Sequence, residues 1–312
     1  MNVLLWHVHG SWTTAFVQGN HRYIVPVTPD RGPDGRGRAR TWDWPYSVVE
    51  RTPEEIAREP VDVVILQRPI ELDRLCEAWL GRRPGRDVPA VYVEHDAPQG
   101  RVVEMRHPAA DRRDLVLVHV THFNDLFWDA GSTRTRVIEH GVVDPGALYT
   151  GELQRAAVVI NEPVRRGRVT GTDLLPRLSA AAPIDLFGMG VRALGGFEDV
   201  RQSDLHRAMA QRRVYLHPFR WTSLGLSLIE AMHLGMPVVA LATTEAPEAV
   251  PCECGVISTR VDALVKATRD LVNDRARARS MGRAARAHAQ KRYGLDRFLA
   301  EWDALLDEVR SR

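Results

Sequence analysis

His217-Pro218-Phe219-Arg220-Trp221-Thr222-Ser223-Leu224-Gly225-Leu226-Ser227-Leu228-Ile229-Glu230-Ala231-Met232-His233-Leu234-Gly235-Met236-Pro237-Val238-Val239-Ala240 is the stretch on which the fold turns. It reads as a strand end, a glycine-containing loop, a helix beginning near Leu226, and a new strand after Gly235-Met236-Pro237. The first turn of such a helix has backbone N–H groups without intrahelical partners and carries the positive end of the helix dipole, and both suit a phosphate. Glu230 falls one turn inside, near that anion site without capping it. A carboxylate there is placed to accept two hydrogen bonds from a ribose diol. By shape alone the same stretch also fits an ordinary α/β corner with a surface glutamate.

Outward from this corner the same alternation continues. Apolar runs at 156–160, 184–187, 214–216 and 237–241 alternate with helical stretches at 172–181, 204–210, 227–234 and 261–273. The first half has apolar runs at 3–8, 61–66, 88–93, 115–118 and 136–138, with helices expected at 71–80 and 124–130. Near-continuous apolar runs of this length belong to strands buried on both faces, the pattern of parallel sheets. Two such series in succession predict an α/β protein of two doubly wound domains, joined near Asp144-Pro145-Gly146. That places one domain over 1–145 and a second over 150–290. The run at 3–8 feeds a glycine loop at Gly10, and 30–40, rich in Gly, Pro and Arg, is a further loop. An Arg- and Ala-rich helical stretch over 263–290 is interrupted near Asp274. Beyond it Phe298, Trp302, Leu305, Leu306 and Val309 recur at helical spacing.

Composition narrows the class. With 312 residues, 44% hydrophobic and 26% charged, the chain is neither disordered nor fibrous and is long enough for two domains. A net charge of +2 argues against a dedicated nucleic-acid binder. Only Lys266 and Lys291 are lysines, leaving 40 arginines, whose forks suit phosphate, although codon bias explains such a ratio equally well. Cys76, Cys252 and Cys254 cannot form a disulfide framework, and Cys252-x-Cys254 is too tight for a zinc knuckle. No apolar run reaches membrane-spanning length, and the first eight residues lack a basic n-region, so a cytoplasmic location is expected.

The 217–240 block resembles the signature of GT-B glycosyltransferases of the retaining family 4, or group 1, type. In that family it runs roughly Pro-Ser-x-x-Glu-x-Phe-Gly-Leu-x-x-x-Glu-Ala-Met-Ala-x-Gly-x-Pro-Val-Val-Ala. Pro218, Gly225, Leu226, Glu230, Ala231, Met232, Gly235, Pro237, Val238, Val239 and Ala240 match it. Thr222 stands where the family has the first of two glutamates, the one that contacts the transferred sugar.

The resemblance implies two Rossmann-like domains facing a cleft, the first binding acceptor and the second a nucleotide-sugar. Residues 294–312 would cross back as a helix to the first domain. It implies retaining sugar transfer with no metal or other cofactor, from a nucleotide-sugar donor to an acceptor that is a small molecule, lipid or glycan; peripheral membrane contact stays open. Glu230 matches the ribose-binding glutamate, with Thr222, Ser223, Gly225 and Leu226 around the donor sugar. Gly10 matches a glycine near the donor phosphates, and His95 a histidine near the reacting sugar. Gly188-Met189-Gly190 matches a strand-end Gly-x-Gly. The family's phosphate-binding lysine falls on Thr170, so Arg165, Arg166 or Arg168 must supply the charge. Two rivals stay open: a nucleotide-sugar-binding relative with altered chemistry, for which Thr222 speaks, and a sugar-nucleotide epimerase using Glu94 or Asp96.

Overall fold

The computed structural model describes residues 1–311; Arg312, the last residue of the expected terminal helix, lies outside them. The chain divides into two compact units, Met1–Gly141 with the terminal segment from Leu295, and Val142–Gly294.

The first unit is one sheet with seven parallel strands: β1 (Asn2–Leu5), β2 (Arg22–Pro26), β3 (Val48–Arg51), β4 (Val63–Leu66), β5 (Ala90–Glu94), β6 (Val116–His119) and β7 (Arg134–Val137). Their order is β3-β2-β1-β4-β5-β6-β7, so the chain reverses direction across the sheet between β1 and β4. Helices α1 (Gly10–Phe16), α2 (Pro53–Ile56), α3 (Cys76–Leu80) and α4 (His122–Phe127) connect them. β1, β4, β5 and β6 are buried almost throughout, as their apolar runs require.

Several expectations need correction. Gly10 opens α1 rather than lying in a loop. Residues 71–75 wind as a π-helix before α3. α4 starts and ends earlier than 124–130, because the Thr121 hydroxyl accepts from the Asn124 N–H at 3.1 Å and Trp128 is extended. β2 and β3 were not foreseen; β3 is half-exposed at the sheet edge and has no apolar run to betray it.

The second unit repeats the plan with β8 (Leu153–Val159), β9 (Ile184–Phe187), β10 (Arg212–His217), β11 (Val238–Leu241) and β12 (Gly255–Ser258). All pair in parallel, in the order β12-β11-β10-β8-β9. Its helices are α5 (Pro163–Arg166), α6 (Leu175–Leu178), α7 (Gln202–Gln211), α8 (Leu226–Leu234), α9 (Ala246–Ala249), α10 (Val261–Asn273) and α11 (Arg275–Arg292). The helix expected over 172–181 is instead a 3₁₀ turn at Thr172–Leu174 followed by α6. Pro176, which lacks an N–H, fits only in the first turn of a helix and makes that break. Asp274 divides α10 from α11 by capping, its carboxylate accepting from the Arg277 N–H at 2.9 Å. The turn at Asp144 belongs inside this unit: Arg286 and Gln290 donate to the Asp144 carboxylate at 2.7 and 3.1 Å.

The terminal helix α12 (Leu295–Arg310) packs in the first unit. Trp302 meets Trp12 and Phe16 edge-on, with ring centroids 5.6 and 5.0 Å apart. Gly141 lies so close to Phe298 that any Cβ there would collide with its side chain. Arg297 donates to the carbonyls of Glu139 and His140 at 3.0 and 2.7 Å. Among the described residues no helix is long and apolar enough to cross a membrane. Replacing Trp302 by Ala removes a fully buried ring, and the first unit should lose about 3–5 kcal/mol of stability. Urea unfolding followed by Trp fluorescence and amide exchange measures this, and a change below ~1 kcal/mol would show that α12 is not part of that core.

Candidate functional site

In the second sheet, β8 has β9 on one side and β10 on the other, so successive connections leave in opposite directions. Open parallel sheets bind ligands outside the carboxyl ends of their strands at such a reversal. Three loops meet there. After β9, Gly188 has φ +131°, and a Cβ would strike the Ile160 carbonyl after β8. The Met189 N–H donates to Asn161 Oδ1 at 2.9 Å, and the Glu162 N–H to the Met189 carbonyl at 2.7 Å, while Gly190 closes the turn at φ +72°. Gly171, at φ +72°, leaves no room for a Cβ beside the Pro218 carbonyl after β10.

An ion pair closes this junction. Arg220 Nη2 donates to Asp173 Oδ2 at 2.9 Å, and the Arg220 N–H to the Val169 carbonyl at 2.9 Å. The Arg220 guanidinium holds the Asp173 carboxyl below its ordinary range. Thr170, at the family's lysine position, is buried, its hydroxyl donating to the Gly167 carbonyl at 3.0 Å. It closes the loop and presents nothing to a ligand. Arg165 and Arg168, by contrast, have side chains 72% and 78% exposed. Arg165 Nε is 3.7 Å from the Glu162 carboxylate, and Arg168 shares Asp173 at 3.3 Å. Arg166 follows Arg165 in α5, its N–H donating to the Glu162 carbonyl at 2.9 Å.

Next in the chain, Thr222 is half-buried and Ser223 buried. Gly225 then opens α8 with φ −70° and no side-chain cap, so the first turn beginning at Leu226 is available to an anion. Gly225 cannot be larger, because a Cβ would collide with the His217 ring. That ring, stacked on Phe219 at 4.5 Å, is buried at the end of β10, and burial alone pushes its pKa down to about 3. His217 Nδ1 has no hydrogen-bond partner among the described residues. Glu230 is buried on α8, where Gln202 Nε2 donates to its Oε2 at 2.9 Å and His206 Nε2 lies 3.4 Å away. Gln202 and His206, four apart on one face of α7, were not picked out from sequence; on a helix rich in polar residues such a pair looks like a solvated face.

Arg165, Arg166, Arg168, Gly188, Gly190, Thr222, Ser223, Gly225, Leu226 and Glu230 therefore all belong to the segments that follow the carboxyl ends of β8, β9 and β10, with Glu230 one turn inside α8. Gly10 and His95 lie after β1 and β5 in the first unit. The His95 ring stacks on His9 at 4.0 Å and meets the Trp12 edge at 5.0 Å. Burial, with His9 and His140 beside it, holds His95 well below the ordinary imidazole range, so it is neutral. Glu94 faces the other way, with His107 Nε2 2.9 Å from its Oε2 and the Asp96 N–H donating to its Oε1 at 2.7 Å.

The sequence profile of the glycosyl transferases group 1 family matches residues 196–288, which span β10, α8 and β11. The chain has the GT-B fold, and within it residues 196–288 are similar to the group 1 glycosyltransferases. Over 145 residues it is 30% identical to the GDP-mannose-dependent monoacylated alpha-(1-6)-phosphatidylinositol monomannoside mannosyltransferase of Corynebacterium glutamicum. That match covers 46% of this chain but only 32% of the relative. Among solved GT-B structures, Anabaena HepE in complex with UDP superposes with a TM-score of 0.70 at 15% identity, over 99% of this chain and 100% of that one. Sucrose-phosphate synthase from Thermosynechococcus elongatus gives 0.66 at 14% identity, over 100% and 99%.

The buried histidine beneath α8 makes a pH test. His217 ordinarily titrates near 6.5, and in the folded protein near 3. Below pH 6.5 the unfolded chain takes up a proton that the folded one refuses, so stability falls with pH by about 1.4 kcal/mol per unit. Between pH 7 and 5, His217→Phe should therefore lose about 2 kcal/mol less than the parent in denaturant unfolding of the second unit. Equal losses would mean that His217 is charged or solvated in the folded state.

Proposed function

We propose that the protein transfers a sugar from a nucleotide-sugar to an acceptor, with retention of anomeric configuration and without a metal ion, the second unit holding the nucleotide. The observation that carries this reading is the buried Glu230 carboxylate, oriented by Gln202 one turn inside the uncapped α8, at the reversal point of the sheet. The match to the group 1 profile and the UDP complex of a protein of the same fold support it.

Each residue then has a chemical part. Glu230 accepts hydrogen bonds from the ribose hydroxyls. Negative charge grows on the diphosphate as the glycosidic bond to it breaks. The first-turn N–H groups of α8 and one or more of the Arg165, Arg166 and Arg168 forks stabilise that charge. Arginine charge takes the place that a divalent cation has in metal-dependent transferases. Thr222 and Ser223 border the sugar, where a neutral hydroxyl replaces the family's carboxylate. The neutral His95 of the first unit accepts or donates a hydrogen bond at an acceptor hydroxyl. Glu94 serves poorly as an epimerase acid because His107 occupies it. Thr222 keeps one second reading in play, a relative that binds the donor but performs altered chemistry; slow donor hydrolysis with no transfer product would favour it.

Calorimetry with UDP, GDP and their sugars tests the donor site. Glu230→Ala should cost nucleotide and nucleotide-sugar alike about 1.5–3 kcal/mol, the cost of unpaired hydroxyls in a desolvated site. Thr222→Ala should leave nucleotide affinity intact and change discrimination among sugars. The reverse pattern would place the motif in the wrong register. Donor turnover should survive EDTA, and activity lost to EDTA and restored by Mg²⁺ or Mn²⁺ would overturn the metal-free mechanism.

A further inference from the structure

The Arg-rich loop after β2 plays no part in the reading so far. In the first unit, at the carboxyl ends of β1 and β2, a pocket of about 330 Å³ is lined by His7, Asp30, Arg31, Arg36, Arg38 and Arg40. The loop folds back onto its own strand: the Thr28 N–H donates to the Gly35 carbonyl at 3.0 Å, and the Gly37 N–H to the Pro26 carbonyl at 2.9 Å. Gly37 sits at φ +69° against the Glu50 carboxylate, where a side chain would collide. The 35–38 sequence Gly-Arg-Gly-Arg thus places Arg36 and Arg38 on a fixed turn.

The commitments of these side chains decide what the pocket can hold. Glu50 neutralises Arg31 in a two-bond pair at 2.9 and 3.1 Å. Arg38 is fixed by the Trp44, Pro45 and Val48 carbonyls, which satisfy its N–H groups without cancelling its charge. The side chains of Arg36 and Arg40 make no hydrogen bond or ion pair among the described residues. Of the nearby acids, Asp34 is drawn away by Arg68 at 2.9 Å, and Asp30 is held by the Thr28 hydroxyl at 2.6 Å. Arg36, Arg38 and Arg40 have no carboxylate ion pair among the described residues, and against the single Asp30 carboxylate in the lining they leave an excess of positive charge around one small cavity with no apolar side chain in its lining. The protein as a whole carries only +2, so this is a local concentration of charge. His7 adds a ring nitrogen 3.0 Å from the Gly37 carbonyl and lies beside Gly10.

We propose that this pocket binds a phosphate ester carried by the acceptor. The word acceptor rests on the transferase reading above; the phosphate site does not. Paired guanidinium forks match phosphate geometry, and the volume sits at the small end of the range for ligand sites, about 300–1,000 Å³, so it suits a head group rather than a chain.

Titration calorimetry of the full chain with glycerol 3-phosphate, and flotation with phosphatidylcholine vesicles with and without phosphatidylglycerol, test it. Both are read for the parent, for the double variant Arg36→Ala/Arg40→Ala, and for Arg58→Ala/Arg74→Ala, which removes the same charge from exposed sites elsewhere. At least one probe should bind the parent, lose tenfold or more in affinity with Arg36 and Arg40 gone, and be unchanged in the control. Selective loss of glycerol phosphate binding points to a soluble phosphorylated acceptor, and selective loss of vesicle binding to a lipid head group. Failure of the parent to bind either probe, or equal weakening by both double variants, overturns the proposal. So does a loss of UDP or GDP affinity in Arg36→Ala/Arg40→Ala, which would give the pocket to the donor diphosphate. The transferase reading fails separately, through Glu230→Ala, with Arg36- and Arg40-dependent phosphate binding intact.

Discussion

The loops after β8 and β10 meet backbone to backbone where Gly171 passes the Pro218 carbonyl, and no side chain fits between them. Much of the second unit's candidate site follows from that contact. It fixes where the 163–171 segment lies relative to the 218–225 segment, and the Arg220–Asp173 pair fastens the two. Thr170 has to turn inward to make the approach, so a position that elsewhere carries a cation here carries a buried hydroxyl. The remaining cations on that loop are Arg165, Arg166 and Arg168, of which Arg165 and Arg168 are exposed. A second steric limit, Gly225 against His217, sets where α8 can begin and therefore where its free N–H groups lie.

Parts of this were legible in the residues. The apolar runs of β4, β5, β10 and β11 and the amphipathic spacing of α10 announce themselves, because burial on both faces or on one stripe leaves no alternative pattern. The glycine and proline punctuation of 217–240 placed α8 within one residue. The stripe Phe298, Trp302, Leu305, Leu306 had to cover something, and its partners are Trp12 and Phe16. Short edge strands were not legible. β3 and β12 are four residues each, half-exposed, and defined by a neighbour's hydrogen bonds more than by their own composition.

The site was readable where backbone geometry demands a residue type and unreadable where side chains pair at a distance. Gly188 and Gly225 are visible because no Cβ fits there, and Gly190 because its φ of +72° favours glycine. The Asp173–Arg220 pair joins residues 47 apart in sequence, and charges are so common in this chain that neither partner stands out. Gln202, which orients Glu230, is likewise one polar residue among many on α7. The loop at 30–40 showed its composition but not its shape; two glycines turn a run of arginines from a solvated loop into the wall of a pocket.

The proposed transfer requires that a nucleotide bind at the carboxyl ends of β8, β9 and β10 in the second unit. Hydrogen–deuterium exchange with and without saturating UDP or GDP locates it without a substitution or an acceptor. Slowed exchange concentrated in 161–172, 187–190 and 222–231, with the helix start at Leu226 and Ser227 among the most protected amides, is the predicted result. Binding that leaves those segments unchanged and protects β11 to α9 or the first unit alone would contradict it.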